Sequence, residues 1–115
     1  MKITRFKQAP RYEPEKDWKR VSVCAEKEVS IEHFVKPPKH ASPRHRHENA
    51  QVLVVLQGRL AVITDEEGEQ ILEQGDSAYI PANQPHVVKN QLDTVSVGLD
   101  IFIPGRSFDF WLNKK

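Results

Sequence analysis

Disulfide-bonded folds are excluded at the outset, because the 115-residue chain has a single cysteine, Cys24. A reducing cytoplasm is the expected compartment. Cys24 stands beside Val21 and Val23 and is expected as a small buried apolar residue rather than a reactive thiol. No apolar stretch is long enough to span a bilayer, and Met1-Lys2-Ile3-Thr4-Arg5 lacks the apolar core of a signal peptide. Neither sign of charge dominates, with 17 Lys and Arg against 16 Asp and Glu. Neither nucleic acid nor a membrane surface is therefore an expected partner. Internal repeats, linkers and low-complexity segments are absent. Helical periodicity is missing too, except for a short turn at residues 107–112. One domain with one core suits this length.

Short strands fill the space that helices leave. Residues 21–25, 29–35, 51–56, 59–64, 70–72, 77–80, 86–89 and 94–103 each read as a strand. Asp65-Glu66-Glu67-Gly68-Glu69 reads as a solvated hairpin turn, and Pro37, Pro38 and Pro43 break regular structure before residue 45. Many short strands at regular spacing predict an all-β sandwich or barrel. Residues 1–20 are polar, carry Pro10 and Pro14, and read as an extended N-terminal arm anchored by Ile3, Phe6, Tyr12 and Trp18. Residues 21–115 form the single domain.

Two strands are apolar on both faces. Val52, Val54 and Leu56 lie opposite Leu53 and Val55, while Val97, Leu99, Ile101 and Ile103 lie opposite Phe102. A strand with one wet face alternates with polar residues. A second apolar face needs a second cover, which a homodimer pairing sheet on sheet would supply; the alternative is a closed sandwich covered by the arm.

Chemistry concentrates at Pro43-Arg44-His45-Arg46-His47-Glu48-Asn49-Ala50-Gln51. Side chains alternate along a strand, so His45, His47 and Gln51 share one face. Paired imidazoles are common ligands of divalent transition metals. Downstream, His86 opens a returning strand after the turn-forming Pro81-Ala82-Asn83-Gln84-Pro85 and is placed to add a third imidazole. Arg44 and Arg46 have the opposite parity and are expected to face away, and His33 and His40 are expected at the surface or in turns.

These two stretches resemble the two motifs of the cupin superfamily. The first, His-x-His-x3-Glu-x6-Gly, reads His45, His47, Gln51, Gly58; the second, Gly-x5-Pro-x-Gly-x2-His-x3-Asn, reads Gly75, Pro81, Asn83, His86, Asn90. Gln51 replaces the usual glutamate and Asn83 the usual glycine; asparagine also tolerates a left-handed turn. The resemblance implies a cupin jelly-roll fold and one divalent transition metal (Ni, Zn, Fe, Mn or Cu) held by His45, His47, Gln51 and His86. With an amide in place of a carboxylate, the protein ligands carry no formal charge, and the ion would be a stronger Lewis acid.

The last strand carries Ser96, Gly98, Asp100 and Phe102 on one face. A carboxylate in such a strand is costly unless paired or used, and small Ser96 and Gly98 beside it suggest a cavity wall. Parity alone fits equally well a structural Asp100–Arg106 ion pair with Phe102 in the core. The Asp-x-Phe-x-Pro-x-Arg ending is similar to that of small single-domain cupins of pectin and alginate breakdown, which linearise unsaturated monouronates. That resemblance implies a catalytic trio of Asp100, Phe102 and Arg106. Asp100 would be the acid–base group, Phe102 a cavity wall, and Arg106 a clamp on the substrate carboxylate. The final Phe108-Asp109-Phe110-Trp111-Leu112 departs from that family's acidic ending. The alternatives are another metal-dependent cupin, a dioxygenase or isomerase, and a non-catalytic small-molecule-binding cupin.

Overall fold

Nine strands run along residues 1–112, the part of the chain that the computed structural model describes. They are β1 (Arg11–Glu15), β2 (Trp18–Ala25), β3 (Ser30–Lys36), β4 (Ala50–Gln57), β5 (Leu60–Thr64), β6 (Gly68–Leu72), β7 (Ser77–Ile80), β8 (Val87–Lys89) and β9 (Ser96–Ile103). A 3-10 turn at Phe6–Gln8 precedes them, and a short helix α1 (Asp109–Leu112) follows. All strand pairs are antiparallel. One six-stranded sheet has the order β1-β2-β3-β9-β4-β7, and a three-stranded sheet has the order β6-β5-β8.

The core lies between the sheets. Phe34 of β3, Leu53 and Val55 of β4 and Ile80 of β7 pack against Leu60 and Val62 of β5 and Val88 of β8. This is an all-β sandwich, as the strand spacing predicted, of the jelly-roll kind that the motif resemblance implied. No helix among the described residues is long and apolar enough to cross a membrane.

Part of the extended arm expected over residues 1–20 lies along a sheet edge. Residues 11–20 build a β1–β2 hairpin on the edge of the large sheet, turning at Asp17 with φ 66°. Pro14 is accommodated because an edge strand leaves one row of backbone groups unpaired. Trp18 is buried with Phe108 and Trp111, and Tyr12 packs against them, so the hairpin and α1 hold each other. The residues before Arg11 precede the first strand, and there Phe6 sets its ring edge-on to His33 at 5.0 Å.

β3 is inverted relative to a surface strand. Its inward positions are Ser30, Glu32, Phe34 and Lys36, all buried, whereas Ile31, His33 and Val35 face outward. The outward row continues through Val52 and Val54 of β4 and Leu99 and Ile101 of β9, all half-buried, to exposed Leu56, Tyr79 and Ile103. Charged side chains inside and apolar ones outside imply an interior built for chemistry.

Candidate metal centre and its cavity

Three imidazoles meet at one end of the sandwich. His45 and His86 face each other across an isolated bridge, with backbone hydrogen bonds of 3.1 and 2.9 Å between them. The Asn83 amide donates to the His47 carbonyl at 2.8 Å. Asn83 adopts φ 65°, the left-handed conformation that asparagine tolerates in place of glycine. The ring centroids of His45 and His86 are 4.4 Å apart, and that of His47 lies 5.7 and 5.3 Å from them.

The backbone fixes the tautomers. Each Nδ1 lies 2.8 Å from a carbonyl oxygen: that of Pro43 for His45, Asn49 for His47 and Gln84 for His86. A carbonyl only accepts, so each Nδ1 carries the proton and each Nε2 keeps a lone pair. One ligand atom from each of the three histidines can be chosen so that all lie within 4.8 Å of one another. His86 Nε2 is buried with no hydrogen-bond partner. Burial holds His45 and His86 below the ordinary imidazole range, against the opposing effect of the Pro43 and Gln84 carbonyls. Neutral imidazoles are the form that binds a metal.

Gln51 completes the set. Its Nε2 donates to Asp100 Oδ1 at 2.7 Å, which turns Oε1 towards the imidazoles, 3.0 Å from His47 Nε2. With the His47 proton on Nδ1, two lone pairs face each other there, and a shared cation reconciles them. An orphaned buried Nε2, a matched acceptor pair and an all-neutral nitrogen and oxygen set fit a divalent transition ion.

Behind Gln51 runs a buried ionic network. Arg20 donates to Asp100 Oδ2 at 2.6 Å and to Glu32 Oε1 at 2.8 Å. Trp111 Nε1 donates to the same Glu32 oxygen at 2.6 Å, and Arg106 lies 3.3 Å from Glu32 Oε2. Burial acts to lower the Arg20 pKa, but Asp100 and Glu32 together hold it above its ordinary value. Burial holds Arg106 below its ordinary value despite Glu32. The Asp100–Arg106 pair that parity allowed is not formed; Asp100 pairs with Arg20 and Arg106 with Glu32. Phe102 is buried, with its ring 5.4 Å from that of His47 and 4.0 Å below the Arg106 guanidinium.

Asp100, Phe102, Arg106 and the four proposed ligands line one cavity of about 590 Å³. Ser96 and Gly98 do not open it. A side-chain carbon at Gly98 would meet Phe34 at 2.6 Å, so that glycine makes room for a core ring, and Ser96 Oγ donates to the Arg59 carbonyl at 2.8 Å. Arg44 faces Asp65, as parity predicted, but Arg46 contributes to the cavity rim. His40 closes a turn, its N–H donating to the Pro37 carbonyl, and its half-buried ring lies tilted 4.7 Å from that of Trp18, with Nε2 3.2 Å from Glu15. His33 lies on the outward face of β3, and burial lowers its pKa. Cys24 is half-buried beside a bulge in β2.

Sequence reasoning missed Arg20, Glu32 and Lys36. Their signal is a charged row on β3, Glu32 and Lys36, opposite the apolar Ile31 and Val35, which ordinarily marks a wet face.

Residues 32–102 match the cupin domain family, and the chain belongs to it. No curated protein matches the sequence. Among solved structures, KdgF from Halomonas sp. is 22% identical over 96% of this chain and 98% of its own, with a TM-score of 0.83. An RmlC-like cupin from Shewanella frigidimarina is 23% identical over 94% of each chain, with a TM-score of 0.81. The TT1209 protein from Thermus thermophilus is 28% identical over 90% of this chain and 98% of its own, with a TM-score of 0.73. The chain thus shares the fold of these small cupins over nearly its whole length.

Proposed function

We propose that this chain is a cytoplasmic, metal-dependent cupin enzyme that opens 4,5-unsaturated monouronates to 5-keto-4-deoxyuronates. The observation that carries the reading is Asp100, a cavity carboxylate 2.7 Å from the amide that presents Oε1 to the imidazole cluster. One acid–base group thereby adjoins a Lewis-acid site. A divalent ion held by His45, His47, Gln51 and His86 supplies stabilisation of negative charge on a sugar oxygen.

The reaction is an isomerisation and needs no oxidant. Asp100 takes the proton of the C1 hydroxyl as the C1–ring oxygen bond breaks, leaving an aldehyde at C1 and an enolate at C5. The same carboxyl returns the proton to C4, and the enolate becomes the ketone. Arg106, one nitrogen on Glu32 and its face on Phe102, brings positive charge to the enolate. Its pairing with Glu32 makes charge stabilisation a better use than the carboxylate clamp implied by the resemblance. Phe102 walls the cavity and excludes water. A second copy of this chain, on the outward apolar face of the large sheet, is the expected protein partner.

Unsaturated galacturonate incubated with metal-loaded protein should lose its enol-ether absorbance, and chelated protein should leave it unchanged. Absorbance that persists with metal bound would contradict the uronate reading and direct attention to oxygen uptake.

A further inference from the structure

Past Glu32, the next inward side chains of β3 are Phe34 and Lys36, and the cavity wall follows them away from the imidazoles. Lys36 is 2% exposed. Its ammonium donates to Ser42 Oγ at 2.8 Å and lies 4.8 Å from the centre of the Trp18 ring. An ammonium has several donors, and the others have no protein acceptor among the described residues. Nor does any carboxylate among them pair with it. Glu15 faces His40, Asp100 faces Arg20, and Glu32 is shared by Arg20 and Arg106.

Three cations, Arg20, Arg106 and Lys36, stand in or behind this wall with three carboxylates, Glu15, Glu32 and Asp100, of which Glu15 is largely exposed and lies against His40. Arg20 and Arg106 are matched. Lys36 has no carboxylate at ion-pair distance among the described residues, and it shares the cavity lining with Trp18, Phe34, Val88 and the more exposed Glu15. Burying an ammonium without a counter-ion is costly. Burial is the main cause that pushes the Lys36 pKa down to about 7, against the pull of Asp100 and Glu15 and with the help of Arg20. A bound anion reverses that cost.

We propose that Lys36 and Ser42 form the carboxylate subsite of this cavity, so that the substrate lies with its anionic end at Lys36 and its reacting oxygens at the imidazoles. The choice of a uronate rests on the function proposed above. A singly charged carboxylate matches one ammonium, one hydroxyl and apolar surroundings. A phosphate dianion needs more donors than this wall offers.

The test uses zinc-loaded protein carrying ¹³C-lysine, with the Lys36 side-chain signal assigned by its loss in Lys36→Met. Sodium galacturonate should move that signal saturably, and neutral galactose should not. In calorimetry, Lys36→Met should weaken galacturonate binding roughly tenfold to a hundredfold, the loss of one charged hydrogen bond. Zinc content and melting temperature should stay at wild-type levels. Galacturonate that leaves the Lys36 signal in place, or binds Lys36→Met as tightly as wild type, overturns the proposal. Turnover of unsaturated galacturonate is scored separately. A shifted Lys36 signal without turnover keeps the subsite and removes the ring-opening reading; turnover without the shift does the reverse.

Discussion

Gln51 is where one side chain decides the character of the centre. Asp100 accepts from its amide nitrogen, so the carbonyl oxygen turns to the imidazoles, and a neutral amide stands where the cupin motif has a carboxylate. The substitution Asp100→Asn separates the two roles of that residue. Asparagine keeps an oxygen to receive the Gln51 N–H, and Arg20 keeps Glu32, so the metal should stay bound. Turnover should fall by about a hundredfold or more, the usual contribution of a positioned proton-transfer group. Metal lost together with activity would show Asp100 to be a structural member of the network. His45, His47, Gln51 and His86 were legible because parity and motif spacing agree. Arg20 was not, because its partners Glu32 and Asp100 lie on other strands, Asp100 80 residues away, and no local pattern links them.

At the scale of elements, the strands read well and the first twenty residues did not. Pro10 and Pro14 argue against a strand in the middle of a sheet, yet β1 sits at an edge where proline costs little. The outward faces of β4 and β9 were legible as a second apolar surface, and the structure leaves Leu56, Tyr79 and Ile103 exposed there. Apolar area of this kind is stabilised by a cover. A second copy places the same row on both sides of a two-fold interface. Sedimentation equilibrium should return about twice the 13.2 kDa chain mass, and Leu99→Glu, on that face, should return the single-chain mass. A wild-type chain that sediments at the single mass would contradict the dimer.

The whole molecule gathers its ionisable groups inward. The nearly balanced sequence charge conceals this arrangement, since composition does not say which charges face the cavity. In the fold, Arg20, Glu32, Lys36, Asp100 and Arg106 converge behind or beside three imidazoles in one cavity. The ring-opening reading depends on an ion held at that cluster. The measurement that tests this most directly is elemental analysis of purified protein, with X-ray absorption at the edge of whatever metal is found. One divalent ion per chain, bound by nitrogen and oxygen without sulfur and lost in His45→Ala/His86→Ala, is the predicted result. A wild-type chain that holds no metal after loading, or a double variant that holds it equally well, would contradict the account.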